Sequence, residues 1–262
     1  MKTNTTQSDG VTISYRVVGA GPRDVLLIHG WMVSGAVYDD LIAAIDTEGL
    51  RLILPDLRGT GRSGRPSSGY TIAQYAADLL QVAKDCESSR FVAVGHSMGG
   101  QIAQWLAANA PAQVSGLVLM CPVPAKGMTL PPEAVSLFRN CGGNRGMLQT
   151  ILDLACKQLG DAARERLLDD AQGVAVQCVA QAFEAWSQGG FSAQLAAIAA
   201  PTLCVATDDP FMPPAFLRAN VVDLIRGARL AVLPGPGHYL QVERPAETAA
   251  LLEAFLSALG PH

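Results

Sequence analysis

A serine hydroxyl attacks a carbonyl only when a neighbour removes its proton, and this chain carries one serine in a setting suited to that chemistry. The run Gly95-His96-Ser97-Met98-Gly99-Gly100 joins an apolar stretch, Phe91-Val92-Ala93-Val94, to a helical pattern from Gln101 to Asn109. Gly-x-Ser-x-Gly between a strand and a helix predicts a sharp turn with Ser97 at its apex, and the flanking glycines leave room for the backbone. The N–H of Met98 then points into the site, where it can hold an oxyanion.

The proton acceptor is found by counting the four histidines. His29 ends an apolar strand just before Gly30, His96 lies inside the turn pointing away from Ser97, and His262 is the last residue. His238 remains, in the turn-rich loop Pro234-Gly235-Pro236-Gly237-His238-Tyr239, before a helix that Pro245 introduces. An imidazole base needs a carboxylate to fix its tautomer and to stabilise the imidazolium. In the chain order that goes with this turn, the carboxylate lies between the serine and the histidine. Asp208 and Asp209, at the carboxyl end of an apolar run, both qualify, whereas Met120-Cys121-Pro122-Val123-Pro124-Ala125 holds no carboxylate. A second oxyanion donor is expected from His29-Gly30-Trp31-Met32, where Gly30 allows close approach and the Trp31 N–H points inward. Each residue also has a plainer reading: a surface histidine, a solvated turn pair, a strand-end turn with a packed indole. Their coincidence with Ser97 favours the chemical one.

The elements that must position these groups follow from hydrophobic patterning. Val11–Val18 alternates with period two, as a half-exposed edge strand would. Val25–Ile28, Leu52–Leu54, Phe91–Val94, Leu117–Met120, Leu203–Val205 and Leu230–Leu233 are continuously apolar, as expected of strands covered on both faces of a parallel sheet. A helix opens at Thr71, a good N-cap, with Ile72, Tyr75, Ala76, Leu79, Leu80 and Ala83 on one stripe. Strands alternating with helices predict an α/β fold, a doubly wound and mostly parallel sheet with ligands beyond the carboxyl ends of its strands. Regular alternation fails between Pro122 and Ala200. The expected organisation is therefore a core of residues 1–121 and 197–262, with a helical insertion at 122–196.

Composition narrows the partners. A net charge of −4 with 16% charged residues gives no basic face for nucleic acid, and 49% hydrophobic residues over 262 positions excludes disorder. No run has the length of a membrane span or of a signal peptide's apolar core, so a cytoplasmic protein is expected. The six cysteines, Cys86, Cys121, Cys141, Cys156, Cys178 and Cys204, form no C-x-x-C pair and lie mostly in apolar runs, as buried free thiols do. Gly59-Thr60-Gly61-Arg62-Ser63-Gly64 fits the dinucleotide fingerprint, but Arg65-Pro66-Ser67-Ser68-Gly69 follows it where a helix should open. With no zinc motif and no Walker loop either, neither cofactor nor metal is expected.

From Gly95 to Gly100 and on through Gln104-Trp105-Leu106, the chain resembles the α/β-hydrolase superfamily, most closely its cofactor-free esterase and lactonase branch. The resemblance implies a Ser97, His238 and aspartate triad that passes through an acyl-enzyme. It also implies an oxyanion hole from the Trp31 and Met98 N–H groups, and a structural role for Asp56–Ser63. In that family the acid sits three residues beyond a small residue at the strand end and four before a proline. Ala206, Asp209 and Pro213 reproduce both spacings, which selects Asp209, with Asp208 directed to solvent or to a backbone N–H of its own turn. Family members carry a cap over the site, so Met128, Phe138, Met147, Leu148, Phe183, Trp186 and Phe191 of the insertion are candidate acyl-pocket residues, with Phe211 and Tyr239 beside the triad. Gln104–Pro111 is similar to enol-lactonases and small carboxylesterases, and an aromatic content of 6% suits a small ester or lactone. The same triad also serves C–C bond hydrolases and cofactor-free perhydrolases or haloperoxidases, and some members of the fold act as ligand receptors. Dehalogenases and epoxide hydrolases use aspartate where Ser97 stands.

Overall fold

The apolar runs become the interior of one eight-stranded sheet in a computed structural model that describes residues 3–260. In chain order the strands are β1 (Thr3–Ser8), β2 (Val11–Val18), β3 (Arg23–Ile28), β4 (Leu50–Pro55), β5 (Phe91–His96), β6 (Val114–Met120), β7 (Thr202–Ala206) and β8 (Arg229–Val232). Across the sheet they run β1-β2-β4-β3-β5-β6-β7-β8. The β1–β2 and β2–β4 pairs are antiparallel, and every other neighbouring pair is parallel. The helices are α1 (Asp39–Ala44), α2 (Ile72–Asp85), α3 (Met98–Asn109), α4 (Pro132–Asn140), α5 (Arg145–Ala155), α6 (Asp161–Gln172), α7 (Val176–Gln188), α8 (Pro214–Asn220), α9 (Leu240–Glu243) and α10 (Pro245–Ala258).

Both ends of the sheet differ from the sequence expectation. Val11–Val18 is not an edge strand: β1 pairs with it from Thr3↔Arg16 to Ser8↔Val11 and takes the edge. Thr-Asn-Thr-Thr-Gln-Ser is polar throughout, so no apolar run marks it. It is joined by Asp9-Gly10, with φ of +48° and +72°, the positive pair that two-residue hairpin turns require. At the other end β8 is the last strand, and Val232 is 51% exposed rather than covered on both faces.

Thr71 caps α2, its hydroxyl accepting the Gln74 N–H at 3.2 Å. The buried face includes Asp78 and Val82, while Leu80 is only partly covered. Asp78 is tolerated there because Arg58 donates to both of its oxygens, at 2.6 and 2.7 Å, which fixes the loop after β4 against α2. No helix opens in that loop until Ile72. Its Asp56 carboxylate instead accepts the N–H groups of Gly35 and Arg62, each at 2.9 Å, and a Cβ on Gly61 would lie 2.4 Å from that carboxylate.

Between β6 and β7 the chain forms α4 to α7 and a short 3-10 turn, Ser192–Ala197, with no strand. Within this segment α4 packs on α7 and α5 on α6. No described helix is long and apolar enough to cross a membrane.

Candidate active site

Ser97 sits between the end of β5 and the start of α3 with φ +55° and ψ −120°. That conformation costs a non-glycine residue about 1–3 kcal/mol and persists only where its surroundings hold it. Here the Ser97 N–H donates to Met120 O, and its carbonyl accepts from Gly100, Gln101 and Val123. The neighbouring glycines are steric requirements. A Cβ on Gly95 would lie 2.2 Å from Gly99 O, and one on Gly99 would lie 2.1 Å from Ile28 O. Met98, as the first residue of α3, has an N–H with no partner within the helix.

His238 follows β8 in the loop that leads to α9. Its Nδ1 lies 2.5 Å from Asp209 Oδ2, with His238 9% and Asp209 1% exposed. A carboxylate there makes Nδ1 the protonated nitrogen and leaves Nε2 as a lone pair. Asp209 is itself held, Oδ1 accepting the Phe211 N–H at 2.8 Å. The exposed Asp208 accepts the Gly235 N–H at 3.0 Å, so it binds the facing loop and not its own turn.

The other histidines are bonded elsewhere. His29 Nε2 accepts the Leu57 N–H at 2.9 Å, which puts its proton on Nδ1, donating to Gly30 O. His96 Nε2 faces His238 O at 2.8 Å and must carry the proton, leaving a buried Nδ1 without a partner. Desolvation pushes the pKa of both rings below the usual imidazole value, far below for His96, so both stay neutral. His262 lies outside the described residues.

Gly30 brings the loop after β3 against the serine: a Cβ there would lie 3.1 Å from Ser97 Cβ. The Trp31 indole turns away, donating to Val179 O at 2.9 Å and stacking on Phe138 at 5.3 Å. It packs on the segment between β6 and β7.

Ser97 and His238 share the wall of a cavity of about 50 Å³. That is a small space, suited to a short substrate group rather than a long chain. Trp31, Met128, Phe138, Trp186, Phe211 and Tyr239 line it, whereas Met147, Leu148, Phe183 and Phe191 are not among its lining residues; Phe183 instead packs behind Trp31, Phe138 and Trp186. Met32, Val123, Ile151 and Met212 also line it, though nothing in their spacing announced this. The walls are mostly apolar, and Ser97 and His238 are the polar side chains among the lining residues.

Behind the histidine, Cys121, Asp209 and His238 bring possible metal-ligand atoms within 4.8 Å of one another. The carboxylate and imidazole already bind each other, the thiol lies 3.3 Å from Thr207 Oγ1, and burial pushes its pKa well up. The donor set fits a hydrogen-bonded mount better than a cation. The carboxylate of Glu243, which sequence reasoning passed over, accepts four backbone N–H groups around His238 and after α5.

Residues 25–251 match the model of a family described as the alpha/beta hydrolase family. A non-heme haloperoxidase of Rhodococcus erythropolis is 33% identical over 254 residues, covering 89% of this chain and 91% of its own. Among solved structures, a bromoperoxidase from Bacillus anthracis matches with a TM-score of 0.90 at 23% identity, covering 98% of this chain and all of that one. The enol-lactonase from Burkholderia xenovorans LB400 matches with a TM-score of 0.87 at 21% identity, covering 97% and 100%. At these identities the two structures speak for the fold alone.

Proposed function

The chain belongs to the alpha/beta hydrolase family, and we propose that it is a serine hydrolase cleaving a small carboxylic ester or lactone through an acyl-enzyme. The observation that carries this reading is the 2.5 Å contact of His238 Nδ1 with Asp209 Oδ2 in a cavity that Ser97 shares. With Nδ1 protonated, His238 Nε2 takes the Ser97 proton as Oγ attacks the acyl carbonyl. The oxyanion rests on the Met98 and Trp31 N–H groups. Collapse expels the alkoxide, which His238 protonates. Water, deprotonated by the same imidazole, then attacks the acyl-enzyme and releases the acid and Ser97.

The cavity volume favours short acyl groups, and the segment between β6 and β7, which supplies Met128 from its opening loop and Trp186 from α7, acts in this reading as the cap that limits chain length. A second reading is supported by the relative named a haloperoxidase: hydrogen peroxide replaces water in the final step, giving a peroxy acid from the same acyl-enzyme.

One experiment tests both. Turnover is measured across p-nitrophenyl esters of rising chain length and γ- and δ-lactones, with and without peroxide, alongside fluorophosphonate labelling of wild type and Ser97→Ala. Multiple turnovers on short esters, with labelling lost and activity reduced about 10⁶-fold in Ser97→Ala, are expected. Peroxy acid formed at the expense of carboxylic acid would favour the second reading. A single equivalent of product, or Ser97→Ala activity within tenfold of wild type, would overturn both.

A further inference from the structure

Every backbone polar group from the Gly237 N–H to the Tyr239 N–H is bonded. Glu243 Oε2 accepts the Gly237 N–H at 3.0 Å, and Thr207 Oγ1 donates to Gly237 O at 2.7 Å. The His238 N–H donates to Ala155 O at 2.8 Å, and His96 Nε2 donates to His238 O at 2.8 Å. Glu243 Oε1 accepts the Tyr239 N–H at 3.2 Å. The Oε2 atom also accepts from Lys157 at 2.9 Å and Gln158 at 2.7 Å, in the turn that follows α5. The fit is close, since a Cβ on Gly237 would lie 2.3 Å from Ala155 O. Two of the ties run to the sheet side of the site, through Thr207 and His96. The others join the histidine loop to α9 and to the end of an inserted helix.

From this arrangement we infer that Glu243 is a positioning residue for His238. Its carboxylate holds the N–H groups on both sides of the base and locks that loop to the end of α5, so the inserted helices help to aim the imidazole as well as to wall the pocket. The inference rests on the reading of His238 as the base. Three N–H donors on one oxygen call for a full negative charge, because hydrogen bonds to an ionised acceptor are about twice as strong as neutral ones. A carboxamide cannot replace it: with its oxygen facing Gly237, Lys157 and Gln158, its NH2 group would meet the Tyr239 N–H donor to donor. The loop would then shift beside the base, and a displacement near 1 Å in a catalytic group costs on the order of 10²-fold.

The test compares wild type, Glu243→Gln, Glu243→Asp and, as a control, Glu253→Gln, whose carboxylate accepts the Asp46 N–H on another part of the surface. Each is measured for kcat and KM on a short p-nitrophenyl ester per fluorophosphonate-titrated site, and for the downfield proton resonance of the His238–Asp209 bond. Glu243→Gln should lose about 10- to 100-fold in kcat per titrated site with KM within about threefold, and should shift or broaden that resonance. Glu243→Asp should recover part of both, and Glu253→Gln should match wild type. A merely structural role would lower melting temperature and titratable fraction while leaving kcat per site and the resonance unchanged, and that outcome overturns the inference. If Glu243→Gln is insoluble, the same readings on Glu243→Asp decide, since its shorter carboxylate must still perturb the resonance. Failure of wild type to label would strike the hydrolase reading instead, and the resonance would still report whether Glu243 positions the ring.

Discussion

Replacing Asp209 by asparagine should disable the enzyme through a single proton. The carboxylate has two separate duties: Oδ1 accepts the Phe211 N–H at 2.8 Å, and Oδ2 faces His238 Nδ1 at 2.5 Å. An asparagine that keeps its oxygen on Phe211 presents its NH2 group to His238. Nδ1 must then accept, the ring proton moves to Nε2, and the base loses the lone pair that takes the serine proton. Loss of tautomer control and of imidazolium stabilisation costs about 10²–10⁴ in kcat in triads of this kind, or roughly 2.7–5.5 kcal/mol of barrier. Asp208 is the built-in control. It is exposed, and the bond its carboxylate accepts from the Gly235 N–H at 3.0 Å can be kept by an asparagine oxygen. Asp208→Asn should therefore stay within about tenfold of wild type. The assay is kcat on a short p-nitrophenyl ester, normalised to fluorophosphonate-reactive sites so that misfolded protein does not count. Reversed effects, or equal ones, would refute the assignment of Asp209.

Stability should fall as pH drops below about 6.5. His29 and His96 are neutral in the fold because burial lowers their pKa, whereas in the unfolded chain they bind protons below that pH. Each contributes a slope of about 1.4 kcal/mol per pH unit once its unfolded form is protonated. Asp170, whose carboxyl is pushed up by burial, works in the opposite sense, so urea midpoints are expected to fall from pH 6.5 to 5 with a net slope smaller than that of two histidines. A midpoint constant from pH 7.5 to 5 would contradict it. Arg58→Met leaves the buried Asp78 with only the Gln74 amide at 3.2 Å, and should cost about 3–5 kcal/mol in urea unfolding. A loss below 1 kcal/mol would show that Asp78 is relieved in another way.

The residues of the candidate site were the easiest to bring together from the sequence. An elbow with Ser97 at its apex needs glycines at fixed offsets, and four histidines with distinct settings left His238 as the candidate base. The register that placed Asp209 rather than Asp208 toward that loop agrees with the contact in the structure, although Asp208 reaches across to Gly235 and not to its own turn. Apolar runs gave the central strands because burial on both faces selects for them. The same rule failed at the edges: β8 is apolar yet exposed, and β1 is polar because one neighbour is enough to hold it. Asp9-Gly10 was the available signal for that hairpin. Pocket membership between β6 and β7 was not legible, since Met128, in a loop, lines the cavity and Met147, on α5, does not, and neither residue's spacing in the sequence states how that segment folds over the site. Glu243 was hidden for a related reason: its partners are backbone groups, which have no letter in the sequence.

The order in which the site is assembled along the chain bears on synthesis. Gly30, Trp31, Ser97 and Met98 all belong to the first hundred residues, while Asp209 and His238 arrive only in the last sixty or so. A ribosome-bound chain that has folded as far as β6 therefore displays its serine with no imidazole to activate it. Under the proposed mechanism the nascent protein is chemically silent until β7 and β8 have joined the sheet and the histidine loop has closed on Asp209. Activity then appears as a late, single event, and a chain arrested or truncated before that point carries an elbow without a function.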